Sequence, residues 1–293
     1  MAHWDFIAAA ISDHTQNLFH LAHAEPLSGG CINQAWRISS HEGVRYFVKL
    51  SSAQALPMLV AESTGLLALE ATHSVRVPQV VTHGTAGEHN FLVLEYLNLK
   101  TAGDSALLGT QLAALHRAHA PQFGFSQDNT LGRTAQHNAR CSDWVQFWRE
   151  QRLGWQLDLA AHNGYGGELQ KQGKVLLDKL PEFFTGYHPA PSLLHGDLWA
   201  GNHAYLDDGT PVIFDPAPYY GDREADLAMT ELFGGYGTAF YAAYRAAYPL
   251  DAGYARRKTL YNLSHILNHA NLFGGNYAHQ AQGMMQQLLA QGD

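Results

Sequence analysis

Apolar and polar positions follow two different rhythms on either side of about position 100. Before it the apolar runs are short, which predicts strands over 35–39, 44–50, 79–82 and 91–97, the second of them rich in β-branched and aromatic residues. One helix interrupts them, over 57–71, where Leu59, Leu66 and Leu69 recur at helical spacing with Glu62 among them, after polar Ser51 and Ser52. Beyond position 100, amphipathic stretches predict helices over 105–118, 141–161, 167–179, 222–232 and 256–273. Only 204–206 and 212–214 read as strands there, and Asp207-Asp208-Gly209 between them has the residues of a hairpin turn. The pattern predicts an α+β chain with a small β-rich lobe over residues 1–97 and a larger helical lobe over 98–293.

Composition narrows the class. With 293 residues, 46% hydrophobic and 15% charged, the chain is long enough for two lobes with cores. No apolar run approaches the ~18 residues of a membrane helix, and Met1-Ala-His-Trp-Asp does not open a secretory leader, so the expected setting is the cytoplasm, with no membrane partner. Two cysteines, Cys31 and Cys141, make no disulfide framework and fit a reducing compartment. A net charge of -8 without a basic run argues against nucleic acid as a partner. Among eighteen histidines, His116 and His119, and His265 and His269, fall on single helical faces, but no Cys pair or carboxylate stands nearby at ligand spacing, so they read as ordinary surface or core histidines.

The segment Leu193-Leu-His-Gly-Asp-Leu-Trp-Ala-Gly-Asn202, followed by Pro211-Val-Ile-Phe-Asp-Pro216, carries the candidate chemistry. Phosphoryl transfer needs a carboxylate to take the proton of the attacking hydroxyl, an amide oxygen for one magnesium and a second carboxylate for magnesium across the phosphates. Asp197, Asn202 and Asp215 supply these in order, the first two five residues apart on one loop. Protein kinases carry an Arg before the loop Asp and Phe-Gly after the metal Asp; here Gly196 and Pro216-Ala217 stand instead, and no activation segment ending in Ala-Pro-Glu follows. The substrate is therefore expected to be a small molecule.

Upstream, Ser28, Gly29, Gly30, Cys31 and Asn33 precede a strand in a segment able to close over ATP phosphates, although a glycine pair alone reads equally as a plain turn. Lys49 ends the apolar run Tyr46-Phe-Val-Lys, where phosphates and Glu62 are the natural partners of a buried ammonium, against the alternative of a snorkelling edge lysine. The 91–97 strand runs into a hinge whose backbone at Glu95, Tyr96 and Leu97 is expected to meet adenine.

These segments, together with Trp144-Val-Gln-Phe-Trp-Arg-Glu-Gln-Arg-Leu153, Tyr220-Gly-Asp-Arg-Glu-Ala-Asp-Leu-Ala228 and Leu267-Asn-His-Ala-Asn-Leu-Phe-Gly-Gly275, resemble the fructosamine-kinase (ketosamine-3-kinase) family from about Ser28 to Tyr277. The catalytic loop alone is shared with aminoglycoside and choline kinases. The resemblance implies a protein-kinase-like bilobal fold, ATP and Mg2+ as cofactors, and phosphorylation of the C3 hydroxyl of a ketosamine, free or on a protein lysine, by a monomer or weak dimer. It implies Asp197 as base, Asn202 and Asp215 as metal ligands, Lys49 and Glu62 as the phosphate-positioning pair, and Asp226 with His195 bracing the loop. Trp199 is a candidate sugar platform or, equally, a loop anchor; His265 and Asn268 are further substrate candidates. Cys31 in the phosphate loop is a candidate redox switch. A kinase of the same fold acting on an aminoglycoside- or choline-like hydroxyl compound, and a regulatory pseudokinase, are the alternatives, the latter disfavoured because Lys49, Glu62, Asp197, Asn202 and Asp215 are all present. Ala200, His203 and Asp222 depart from the family's usual residues without touching these groups.

Overall fold

The computed structural model describes residues 3–27, 34–52 and 55–290. The chain groups into two compact units, one of residues 1–104 with 203–216, the other of 105–202 with 217–293. The division differs from a boundary at 97/98 for a backbone reason. Lys100 and Tyr205 exchange both backbone hydrogen bonds, at 2.7 and 2.9 Å, and Asp104 N–H reaches Gly209 O at 3.1 Å, so 98–104 and the later hairpin join the first unit.

In that unit, β1 (Leu21–Leu27), β2 (Gln34–Ser40), β3 (Arg45–Ser52), β4 (Val80–Ala86) and β5 (His89–Glu95) form an antiparallel sheet in the order β1-β2-β3-β5-β4. The pleat sends alternate residues to opposite faces. Ile38, Val48, Leu50, Phe91 and Val93 share a core with Ile7 and Ile11 of α1 (His3–Thr15). Lys49, Leu92 and Leu94 alternate with them, and Leu59, Leu66 and Leu69 of α2 (Leu56–Glu70) are buried as their spacing predicts. Strands β9 (His203–Tyr205) and β10 (Pro211–Ile213) pair as a hairpin, closed by Gly209 at φ 83° and tied to the unit by Ile213 N–H to Arg76 O at 3.0 Å.

The second unit is mainly helical. It contains α3 (Ser105–Leu115), α4 (Trp144–Trp148), α5 (Gly154–His162), α6 (Glu168–Lys179), α7 (Glu224–Thr230), α8 (Thr238–Ala247), α9 (Tyr254–Phe273) and α10 (Tyr277–Ala290). A Cβ on Gly109 of α3 would lie 2.3 Å from Phe240 O, so glycine there lets α3 and α8 pack backbone to backbone. The stretch read as one helix over 141–161 is a helix from 144 onward, interrupted by a π turn at Arg149–Leu153. Two short pairs complete the unit: β6 (Asn129–Leu131) with β7 (Thr134–Gln136), and β8 (Ser192–Leu194) with β11 (Tyr219–Gly221). No helix of the described residues is long and apolar enough to cross a membrane.

Candidate active site

In the first unit the chemistry gathers on the α2 side of the sheet. Lys49 Nζ lies 2.6 Å from Glu62 Oε1 and 2.6 Å from Asp215 Oδ1. Lys49 and Glu62 are 12% and 11% exposed, Asp215 48%. Burial alone would pull the ammonium's pKa down, but the two carboxylates outweigh it and hold Lys49 above its ordinary value. Burial pushes Glu62 up, helped by Asp215 and opposed by Lys49. One ammonium thus serves two carboxylates. Asp215 follows β10 by two residues and adopts φ 58°, a left-handed backbone that an aspartate holds only when its surroundings impose it.

Glu95 ends β5, donating its N–H to Gln79 O at 2.9 Å, while its carboxylate pairs with Arg76. Tyr96 carries Arg37 and Arg45 against its ring, at 5.6 and 5.0 Å, and Leu97 follows half-buried. Ser28, Gly29, Gly30, Cys31 and Asn33 lie outside the described residues.

In the second unit the His195–Asn202 loop leaves β8 and is held from α7. Asp226 accepts the N–H of His195 at 2.7 Å through one oxygen and that of Gly196 at 2.9 Å through the other. His116, fully buried at the end of α3, adds Nε2 at 3.2 Å. Burial would raise the Asp226 pKa; His116, His195 and the Gly196 N–H overcome it and keep the carboxylate below its usual range. Burial lowers the His116 pKa; its Nε2 faces the acceptor Asp226, and Nδ1 lies 2.7 Å from Tyr244 Oη. Arg223 Nη1 donates to the same hydroxyl at 3.1 Å. The relay from Arg223 through Tyr244 and His116 to Asp226 leaves each donor a partner. His116, Tyr244 and Arg223 are absent from the sequence-derived site. The signal available was a histidine four residues after Leu112, on the apolar face of α3, where a buried polar ring needs partners.

Gly196 sits at φ 83°, and a Cβ there would lie 2.0 Å from Ala217 O, which excludes an arginine at this position. Asp197 is half-buried. The Asn202 amide nitrogen donates to Asp197 O at 2.8 Å and to Asp197 Oδ2 at 3.2 Å. Its Oδ1 is thereby left as the acceptor, the orientation a hard cation requires, and Asp215 retains an exposed carboxylate; both are oxygen donors suited to magnesium. Trp199 is 39% exposed, its ring lying over Gly201, where a Cβ would come within 2.2 Å of Cη2. Its carbonyl accepts from Tyr236 Oη at 3.1 Å, so the loop is anchored while the indole face stays open.

The remaining substrate candidates divide. His265 on α9 is half-buried beside Gly196 on the wall of a small cavity, its pKa lowered to about 4 chiefly by burial. Asn268 is 2% exposed and bonded to Gln156 at 3.3 Å and Leu131 O at 3.4 Å, tying α9 to its neighbours.

A sequence profile described as fructosamine kinase matches residues 3–291. A Synechocystis protein named as a probable ketoamine kinase is 47% identical over 291 residues, covering 98% of this chain and 97% of its own. A chloroplastic protein-ribulosamine 3-kinase of Arabidopsis thaliana is 39% identical over 269 residues, covering 90% and 81%. The crystal structure of a Haemophilus somnus protein named as a putative fructosamine-3-kinase superposes with a TM-score of 0.89 at 31% identity, covering 98% and 97%. The loop held by Asp226, the Lys49 cluster and near full-length similarity converge on one assignment: this chain belongs to the fructosamine kinase family.

Proposed function

We propose that this protein is an ATP-dependent kinase that phosphorylates the C3 hydroxyl of ketosamines, acting as a monomer or weak dimer in the cytoplasm. The observation that carries the reaction class is the Lys49 ammonium held between Glu62 and Asp215 in a chain whose Asp197 and Asn202 share one braced loop. The substrate class rests on the names of the relatives, a probable ketoamine kinase and a protein-ribulosamine 3-kinase.

In this reading Asp197 accepts the proton as the C3 oxygen forms its bond to the γ-phosphorus and the bond to ADP breaks. Asn202 orients that carboxylate through its amide nitrogen. Lys49 binds the α- and β-phosphates, with Glu62 fixing the ammonium. The backbone of Glu95 to Leu97 meets adenine, and Ser28 to Asn33 cover the phosphates. Asn202 Oδ1 and Asp215 would hold Mg2+, which neutralises phosphate charge when bound. Trp199 offers an indole face to the C–H face of the sugar, with His265 and Asn268 of α9 as further substrate contacts. A phosphate beside the ketone carbon makes the adduct prone to fall apart, so the outcome is deglycation.

ATP consumption against fructosamines, ribulosamines, aminoglycosides and choline tests the reading. Turnover is expected with the ketosamines alone, and Asp197→Asn is expected to lower kcat by roughly 10²- to 10⁴-fold. Turnover confined to aminoglycosides or choline supports the other small-molecule kinase, and none with any compound supports a pseudokinase.

A further inference from the structure

The helix that begins at Trp144 changes pitch in its middle. Residues Arg149–Leu153 form a π turn between α4 and α5, and Gly154 N–H donates to Arg149 O five residues back. A Cβ at Gly154 would lie 2.2 Å from that oxygen, so the glycine is what lets the turn widen. π turns sacrifice regular hydrogen bonding and concentrate at functional sites. Two residues of this one, Gln151 and Arg152, line a cavity of ≈ 10 Å³ together with Trp148 and Gly196. That volume admits one water-sized group.

The polar atoms around it form a set. Arg152 is 5% exposed; Nη1 donates to His137 O at 2.6 Å and Gln151 O at 2.8 Å, and Nη2 to Asn138 Oδ1 at 2.7 Å. Its guanidinium lies 4.0 Å from the centre of the Tyr219 ring, which fixes its plane. Among the described residues Nε has no hydrogen-bond partner, and neither does Nε1 of Trp148, 1% exposed, nor Oε1 of Gln151. Two donors and one acceptor without partners thus belong to three residues that line a space of one oxygen. A hydroxyl group has the matching inventory, two lone pairs and one O–H. A carboxylate or carbonyl would leave Gln151 Oε1 unmet.

Gly196 lies on the same wall, and the next residue is Asp197. We propose that this cavity is a specificity pocket for a hydroxyl of the sugar chain beyond C3, read by Arg152 Nε, Trp148 Nε1 and Gln151 Oε1. The inference rests on the ketosamine-kinase reading and adds to it which residues sense the length and hydroxylation of the sugar.

The test compares ribulosamine with its 4-deoxy and 5-deoxy analogues, in the wild type, Arg152→Met and Ala135→Leu. Ala135 is an exposed lining residue, so the leucine narrows the pocket while leaving Arg152's bonds to the 137–138 segment in place. The wild type is expected to prefer the hydroxylated compound over one deoxy analogue by roughly 100-fold or more in kcat/KM. Each variant is expected to bring that ratio to within about threefold, through the hydroxylated substrate's KM, while KM for ATP holds. Equal wild-type rates on all three compounds, or a preference that survives in Ala135→Leu, would show that the cavity holds a resident water only and overturn the proposal. Absence of wild-type turnover on any ketosamine would overturn the kinase reading itself, a result distinct from equal turnover.

Discussion

Two buried cations in this protein each lie between one buried carboxylate and one half-exposed carboxylate. Lys49 lies 2.6 Å from Glu62 and 2.6 Å from Asp215; Arg257 lies 2.7 Å from Glu224 and 2.6 Å from Asp251. Charge and burial alone do not separate them. Saturation does. Arg257 holds Glu224 with a second bond at 3.1 Å, reaches Phe183 O at 3.4 Å and stacks 3.7 Å from the Tyr187 ring. Asp251 is fixed in turn by Gly253 N–H at 2.8 Å. The Lys49 ammonium has three donors and, among the described residues, two bonded partners, and Asp215 stands at a left-handed backbone position with half its side chain open. A closed fork builds architecture, whereas an open point charge is arranged for something that arrives.

The comparison breaks most visibly if the two cations are removed in turn. Lys49→Met is expected to lower kcat/KM for ATP by roughly 30- to 5,000-fold, the effect of deleting one partner of a desolvated charge contact. Its unfolding free energy should move by only about 1–2 kcal/mol, because Asp215 is open to water and Glu62, already pushed up by burial, can take a proton. Arg257→Met should do the reverse, costing about 3–5 kcal/mol in denaturant unfolding with activity per folded molecule nearly unchanged, since Glu224 is left buried without its partner. Equal losses of stability in the two variants would erase the distinction.

His265 sharpens the comparison by showing a half-buried base with no bonded carboxylate among the described residues. Burial, with His269 and Arg152 adding to it and Asp226 opposing, lowers its pKa from 6.5 to about 4. The unfolded chain therefore binds more protons at this residue between those values, so stability is full above pH 6.5 and falls as pH drops toward 4. The contribution is at most about 3 kcal/mol, and His265→Gln should flatten the fall in Tm over that range.

A further effect is expected at Asp226, whose two oxygens each take a loop N–H. In Asp226→Asn one of them becomes a donor facing another donor, so kcat should fall by about 10- to 100-fold through a displaced Asp197. Stability should fall by about 1–3 kcal/mol, and KM for ATP should hold. An unchanged kcat with normal folding would show that the brace has no catalytic consequence.

Much of this was legible in the chain. Lys49, Glu62 and Asp215 were read from an apolar strand, a helix period and a hairpin, because in each case the local pattern and the tertiary position agree. The pairing of Asp197 with Asn202 in the His195–Asn202 loop was read from spacing. What escaped was made by long-range partners. The edge strand β1 carries Pro26, which weakens a strand signal and is tolerated because one side of an edge strand is unpaired. The three-residue strands β8 and β11 pair Leu194 with Tyr219, and nothing local marks either. In α1 and α10 the apolar period is thin, with Ile7 and Ile11 buried in one and Ala281, Met285 and Leu288 in the other. The π turn at Arg149–Leu153 kept the amphipathic pattern of a helix while changing where Gln151 and Arg152 lie.

The most direct measurement is ¹³C and ³¹P NMR of the product formed from ATP and a ribulosamine labelled at C3. The account predicts a C3 resonance split by phosphorus, appearing in step with ADP and lost in Asp197→Asn. Phosphate coupled to any other carbon, or ADP formed without a sugar phosphate, would contradict it.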